Sequence, residues 1–98
     1  MTIEKSQKIN DLLDTYGPLL TEKQQLIMDY YFIYDLSFAE IAENTNTTRA
    51  AVFDLIKRTI KILEKYEAKL NLLEKKEKLE KIIEDLDENT KKEIEQLL

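Results

Sequence analysis

The sequence predicts an all-α fold, and three observations support this prediction. Gly and Pro, the residues that interrupt helices most strongly, occur once each and side by side, at Gly17 and Pro18. Leu, Ile, Glu, Lys and Ala, which favour or tolerate helices, make up most of the rest. No window alternates apolar and polar residues over the length of a strand, so no sheet is expected.

Apolar residues at three- and four-residue steps predict the first helix, over residues 3–16. The residues of this apolar face are Ile9, Leu12, Leu13 and Tyr16. The pair 17–18 ends the helix, and Thr21 with Gln24 forms a capping box that begins the next one. A second helix is therefore predicted over residues 22–33. It is apolar nearly all round, so it requires cover on more than one side.

The centre of the chain has the pattern of a helix-turn-helix, over about residues 37–58. Ser37 and Glu40 form a second capping box, which predicts a short helix immediately after Ser37. Asn46 lies in the following turn and is suited to the left-handed conformation that most residues avoid. Thr48 then caps a longer helix. Two helices joined by a turn of three or four residues are the general helix-turn-helix pattern.

The fourth helix has one long apolar stripe, after which the stripe changes phase. The first stripe consists of Val52, Ile56, Ile60, Leu63, Tyr66, Leu70 and Leu73. The second consists of Leu79, Ile82, Ile83 and Leu86. The phase change predicts a break near Asn71 and a C-terminal helical hairpin instead of one continuous coiled coil. Thr90 and Glu93 then form a capping box that predicts a terminal helix.

These elements divide the chain into two predicted parts. Residues 1–66 form a helical domain that contains the helix-turn-helix. Residues 67–98 form a helical extension that packs on this core or on a partner.

Composition narrows the class of protein. The chain has no Cys and no His, which excludes disulfides, Cys/His zinc sites and the catalytic triads that use those residues. A Gly-rich phosphate loop is also absent, so we expect no catalytic residue, no metal, no cofactor and no enzymatic activity. The N-terminal residues lack an apolar secretory segment, and no apolar run reaches the length of a membrane span. We therefore expect a cytoplasmic protein without membrane insertion.

Charge restricts where a nucleic acid could bind. The chain carries a net charge of −5, whereas nucleic-acid-binding proteins more often carry a basic balance. Residues 49–65 are an exception, because this segment contains five basic residues and only two acidic ones, Asp54 and Glu64. Any nucleic-acid site is therefore expected along the fourth helix.

The candidate nucleic-acid-binding residues lie at the start and along one side of that helix. They are Thr48, Arg49, Phe53, Lys57, Arg58, Lys61 and Lys65. Five of them repeat every four residues from Arg49 to Lys65, and we call this row the basic ridge. It is either a phosphate-binding surface or an ordinary solvated helix face. Arg49 is the one strong base-contacting residue, since Ala50 offers only a methyl group and Asp54 repels phosphate.

Five aromatic residues in and after the second helix have two interpretations. They are Tyr30, Tyr31, Phe32, Tyr34 and Phe38. They could stack on unpaired bases, but a role in the core or in a dimer interface is favoured, because they lie in the most apolar helix of the chain. This apolar surplus, together with the C-terminal extension, predicts a homodimer.

Several motifs resemble known helix-turn-helix proteins. Residues 20–25, 35–43 and 48–52 resemble region four of bacterial sigma factors, which implies the winged-helix-type superfamily without a wing. The closer resemblance, over roughly residues 12–73, is to the YlxM family of small bacterial helix-turn-helix proteins. It is carried by Thr48-Arg49-x-Ala51-Val52-Phe53-Asp54-x-Ile56-Lys57-Arg58-Thr59 and by Leu63-Glu64-x-Tyr66-Glu67-x-Lys69-Leu70. The chain departs from that pattern at Asn46 for Gly, Thr47 for an apolar residue and Ala50 for a common Gln.

The YlxM resemblance implies a regulatory role in the signal recognition particle (SRP) pathway, because genes of that family lie beside those of the particle's GTPase and receptor. Two hypotheses follow from it. The protein is either a regulator that binds DNA or the SRP RNA, or an adaptor that binds the SRP GTPase without contacting nucleic acid. The helix-turn-helix favours the first hypothesis, whereas the acidic balance and the few base-contacting residues favour the second.

Overall fold

The computed structural model describes residues 3–98, with side chains from Ser6 onward. Within that range the chain forms six α-helices, with a 3₁₀ turn, Gly17–Leu19, between the first two. The helices are α1 Ile3–Tyr16, α2 Glu22–Phe32, α3 Phe38–Asn44, α4 Arg49–Leu70, α5 Leu72–Ile83 and α6 Glu88–Glu95. The described residues contain no strand, so the prediction of an all-α fold is confirmed.

Side-chain caps begin α2 and α3 at the predicted positions. The backbone N–H of Gln24 donates to the Thr21 hydroxyl at 3.1 Å, and the Thr21 N–H donates to the Gln24 side chain at 2.9 Å. Ser37 and Glu40 make the same pair of bonds, both at 3.1 Å. Both capping boxes are confirmed, and caps of this kind stabilise a helix by about 1 kcal/mol.

The start of α6 differs from the prediction. Asp87 caps this helix instead of Thr90, because its carboxylate accepts bonds from the Thr90 N–H at 2.8 Å and from the Thr90 hydroxyl at 3.0 Å. A carboxylate also interacts favourably with the positive end of the helix dipole, which a hydroxyl does only weakly. The helix therefore begins at Glu88, and Thr90 lies in its first turn.

The main core forms where α1, α2 and α3 pack against α4. Its most deeply buried residues are Leu12, Tyr16, Ile27, Met28, Ile41, Val52 and Leu63. Thr59 is buried on the same face, and its hydroxyl donates to the Leu55 carbonyl at 2.7 Å. Leu70 was predicted to continue the apolar stripe but is exposed. It lies one turn beyond Tyr66, whose ring contacts the last residue of α1, whereas Leu73 of the same predicted stripe packs against the core.

Three bends between helices are made by residues in the left-handed conformation. They are Asp35, Asn46 and Asn71, with φ angles of 55°, 54° and 53°. The sequence predicts this conformation at Asn46 and a break near Asn71. Asn and Asp adopt this conformation at lower cost than other non-glycine residues. They supply these bends in a chain that contains one glycine.

The C-terminal arm consists of α5 and α6. Helix α5 packs on α1, and α6 packs on α5, as expected for a C-terminal hairpin. Ile83 is buried, whereas Ile82 is 70% exposed, so the second apolar stripe is narrower than predicted. The molecule is elongated, with extents of 51 × 25 × 25 Å. No helix within residues 3–98 is long and apolar enough to cross a membrane.

A carboxylate at the end of α4 ties the arm to the core, in what we call the Glu67 junction. Glu67 accepts a hydrogen bond from the Tyr16 hydroxyl at 2.5 Å. It also accepts bonds from the backbone N–H groups of Leu73 at 3.1 Å and Glu74 at 3.2 Å. The side chain of Asn71 makes no cap bond to α5, so Glu67 performs that role from the preceding helix. The junction thereby joins the ends of α1 and α4 to the start of α5.

The junction shifts the pKa values of both side chains. Desolvation raises the pKa of the Glu67 carboxyl, but the hydrogen bonds from Tyr16 and two backbone amides, together with the Lys8 charge, outweigh it and lower that pKa overall. Desolvation raises the pKa of the Tyr16 hydroxyl, and its hydrogen bond to Glu67 raises that pKa further. An ionised carboxylate beside a neutral phenol is therefore the favoured state near neutral pH.

Candidate nucleic-acid interface

The helix-turn-helix brings the start of α4 to the surface. Ala42 of α3 and Val52 of α4 are both buried where the two helices pack together. The Thr47 N–H donates to the Ala42 carbonyl at 2.9 Å, which closes the turn. The Thr48 hydroxyl accepts from the Ala51 N–H at 3.1 Å, so the predicted cap is confirmed. These contacts fix the first turn of α4 and leave Arg49 exposed.

All seven predicted site residues are exposed, although they do not form a flat stripe. They are Thr48, Arg49, Phe53, Lys57, Arg58, Lys61 and Lys65. Side chains four residues apart on an α-helix are offset by about 40°, so the basic ridge winds around α4. Its Phe53 end lies beside the other helices of the domain, and Lys61 lies opposite the buried face. Lys57 and Lys61 are neighbours at the middle of the ridge, offset by this angle of about 40°.

One cation of the predicted set is already paired. The Arg58 guanidinium forms an ion pair with the Asp54 carboxylate one turn earlier, and both side chains are largely exposed. An exposed pair of this spacing contributes only a few tenths of a kcal/mol, but it offsets the charge that Arg58 would offer to a phosphate. Among the described side chains, the lysines of the basic ridge form no such pair. Arg49, Lys57, Lys61 and Lys65 therefore carry the available positive charge of the predicted set.

Phe53 belongs to a short row of aromatic rings. Its ring meets the edge of Phe38 with centroids 5.7 Å apart, and Phe38 stacks on Tyr31 at 4.9 Å with an angle of 16° between the rings. Phe53 nevertheless remains 51% exposed. It thus has a protein partner on one side and a surface available to a ligand on the other.

An apolar groove of about 590 Å³ lies beside the basic ridge, between α1 and α4. We call it the aromatic groove. Its apolar walls are formed by Ile9, Leu12, Tyr31, Phe38, Phe53, Ile56 and Ile60. Lys8, Lys57 and Glu64 also line it. The sequence predicts the residues of both walls but not the groove, because α1 lies far from α4 along the chain and only the tertiary fold brings them together.

Most of the predicted aromatic set packs against the protein. Tyr30, Tyr31, Phe32 and Phe38 are partly buried against the core, whereas Tyr34 is exposed. The prediction of a packing role thus holds for four of the five. Within the described part of the chain, no group of three or more carboxylates is arranged to hold a metal ion.

Comparison with known proteins gives a family that fits this architecture. The model of the UPF0122 family, described as "Putative helix-turn-helix protein, YlxM / p13 like", matches residues 3–98. The chain belongs to this family. A UPF0122 protein of Clostridium kluyveri is 53% identical over 78 residues, which cover 80% of this chain and 70% of that protein. UPF0122 proteins of Exiguobacterium sp. and Bacillus licheniformis are 46% and 48% identical over 86 residues, covering 88% of this chain and 80% of each relative.

UPF0122 membership confirms the family resemblance found in the sequence, and the geometry explains one departure from its pattern. Asn46 stands where the family pattern has Gly, and it adopts the left-handed conformation that glycine would provide. This UPF0122 chain therefore keeps the tight turn between α3 and α4 despite the substitution. Ala50 keeps its exposed place on α4 but offers no hydrogen bond there.

Proposed function

We propose that the protein is a cytoplasmic regulator that binds nucleic acid through the outer face of α4 and acts in the SRP pathway, through DNA or the SRP RNA. The observation that carries this proposal is the row of exposed lysines on the longer helix of a helix-turn-helix. Lys57, Lys61 and Lys65 face solvent without an ion pair among the described side chains. Helix-turn-helix proteins place this helix in the groove of a duplex.

The proposed contact is with the phosphate backbone more than with base edges. Arg49 is the one residue at the start of α4 that matches a guanine edge. The Thr48 hydroxyl oxygen is occupied by the cap, and the Asp54 carboxylate is bound to Arg58. Affinity is therefore expected to depend strongly on salt and only modestly on sequence.

Removing two ridge lysines is expected to weaken binding uniformly across sequences. Lys57→Gln/Lys61→Gln should lower the slope of log affinity against log salt by about 2 on duplex DNA, because each lost phosphate contact removes about 0.9. Fluorescence anisotropy over a salt series, with one mixed-sequence duplex and the SRP RNA as probes, measures this slope. Lys76→Gln/Lys81→Gln, which removes the same two positive charges from exposed positions on α5, is the matched control and should leave the slope unchanged. Flat titrations with both probes at low salt would contradict the proposal.

A second candidate function is that of an adaptor for the SRP GTPase. The observation that favours it is the aromatic groove, which is apolar enough to take side chains of a protein partner and lies on a chain of net charge −5. For an adaptor, purified GTPase should retain the Lys61→Gln/Lys65→Gln variant, whose changes lie outside the groove lining, as well as the unmodified chain, with or without ribonuclease. Loss of retention in that variant, or after ribonuclease treatment, would contradict the adaptor function and leave nucleic-acid binding as the remaining candidate.

A further inference from the structure

The aromatic groove and the basic ridge have two residues in common. Phe53 and Lys57 belong to the ridge and also line the groove. They are one turn apart on α4, so their Cα atoms are separated by about 6 Å along the helix axis. Both side chains are exposed, and Phe53 keeps 51% of its surface open to solvent. A ligand that contacts the ridge at Lys57 can therefore also reach into the groove beside Phe53.

The groove presents flat aromatic rings next to buried aliphatic residues. Tyr31 and Phe38 stack with centroids 4.9 Å apart, and the ring of Phe53 stands at 75° to that of Phe38. The buried aliphatic residues of its lining are Ile9, Leu12 and Ile56. The volume of about 590 Å³ lies within the roughly 300–1,000 Å³ of sites that take small organic ligands. A nucleobase suits such a lining, because it is flat and aromatic on both faces.

The charged side chains of the groove indicate where the phosphates of a bound strand lie. Lys57, at the Phe53 end, attracts phosphate. Glu64 lies seven residues further, about 10 Å along α4, and repels it. Lys8 of α1 also lines the groove, but its positive charge acts on the Glu67 carboxylate as well. The phosphates are therefore expected at the Phe53 end, where the groove meets the basic ridge.

Only an unpaired base can enter such a groove, because neighbouring pairs cover both faces of a base within a duplex. Folded RNA supplies unpaired bases at loops and bulges, where proteins stack aromatic side chains on them. In duplex DNA a base must first be flipped out, which costs unpairing and unstacking energy. The deep, narrow major groove of duplex RNA does not admit side chains to its bases, so a paired RNA stem offers the ridge mainly its backbone.

We propose that the aromatic groove binds an unpaired base of a folded RNA, stacked on Phe53, while the lysines of the basic ridge bind the phosphates of the adjoining stem. This inference rests on the proposed function, since it names the form of nucleic acid that the same face of α4 prefers. An apolar side chain of a protein partner would also fit the walls, but it would not use the exposed charge of Lys57 at the entrance.

The test compares two synthetic RNA stems of the same paired sequence, one continuous and one with a single unpaired uridine. In fluorescence anisotropy the unmodified chain should bind the interrupted stem about 10-fold more tightly, within the range for one base stacked on an aromatic side chain. Phe53→Ala should remove this preference and keep the salt dependence, whereas Phe53→Tyr should retain both. Tyr34→Ala is the matched control, because Tyr34 is 67% exposed and lies outside the groove lining. This control should change neither quantity.

Photochemical crosslinking of the unmodified chain locates the base without a substitution. With iodouridine at the unpaired position, irradiation should join the RNA to Phe53 or to the neighbouring rings of Tyr31 and Phe38, as mapped by mass spectrometry. Crosslinks only to residues outside the groove overturn the inference.

The outcomes separate this inference from the function on which it rests. Equal, salt-dependent affinities for the two RNA stems overturn the inference and leave the proposed function standing, whereas no binding of either stem at low salt overturns both. Tighter binding of a DNA stem with the same unpaired base overturns the assignment to RNA. If Phe53→Ala abolishes retention by purified GTPase and leaves the preference between the stems unchanged, the groove belongs to a protein partner and the inference is wrong.

Discussion

Glu67→Ala is expected to lower the free energy of unfolding by about 3 kcal/mol at neutral pH. The substitution leaves the Tyr16 hydroxyl and the N–H groups of Leu73 and Glu74 without their acceptor. Tyr16 is fully buried, and the loss of a partner costs about 1–3 kcal/mol for a buried group and less for the exposed Glu74 N–H. Urea denaturation followed by circular dichroism measures the change. Glu64→Ala is the matched control, since Glu64 is an exposed carboxylate on the same helix. This control should change stability by less than about 0.5 kcal/mol.

The contribution of the Glu67 junction should also depend on pH. The pKa of Glu67 is lowered in the folded state, so its stabilising effect is present above the unfolded value of about 4.3 and is lost as the pH falls through the folded value. The pKa of Tyr16 is raised, so its effect is present below an unfolded value of about 10 and is lost at higher pH. The stability difference between the unmodified chain and Glu67→Gln should therefore shrink below about pH 4. A constant difference from acid to neutral pH would show that the carboxylate charge does not hold the junction.

Leu63→Ala is expected to lower the free energy of unfolding by about 2–5 kcal/mol, the range for a leucine removed from a packed core. Leu63 is fully buried on the face of α4 that meets the other helices, so the smaller side chain leaves a cavity. In a domain of this size the loss corresponds to a drop in melting temperature of about 10 °C or more. Leu70→Ala, on the same helix but exposed, should cost less than about 1 kcal/mol. Equal losses of unfolding free energy in the two variants would contradict the expectation that the burial of Leu63 stabilises the fold.

The features predicted correctly from the sequence depend on residues that are close along the chain. The capping boxes at Thr21 and Ser37 need only the backbone three residues later. The turn at Asn46 needs only a residue that tolerates a positive φ. The sequence also placed the exposed residues of α4 correctly, because the 3.6-residue period that buries Val52 and Leu63 leaves the ridge outside.

The features that the sequence did not predict depend on distant residues or on competition between neighbours. In the sequence, Glu67 has the features of an ordinary surface residue. Its role depends on the hydrogen bond from Tyr16, which the tertiary fold places beside it. The aromatic groove likewise requires α1 beside α4. The wrong prediction at the start of α6 results from competition between neighbours. Asp87 and Thr90 both suit an N-cap, and in the structure the Asp87 carboxylate is the cap.

The Glu67 junction also has a consequence for the order of folding. Its central bond joins residues 51 positions apart, whereas the caps and bends join neighbours that meet at little entropic cost. Helices α3 and α4 are consecutive, so they can pair early, whereas the contact between Tyr16 and Glu67 closes a long loop and forms late. A change that weakens only this late contact speeds unfolding and leaves the folding rate nearly unchanged. The Glu67 junction therefore lowers the unfolding rate and so lengthens the lifetime of the folded state.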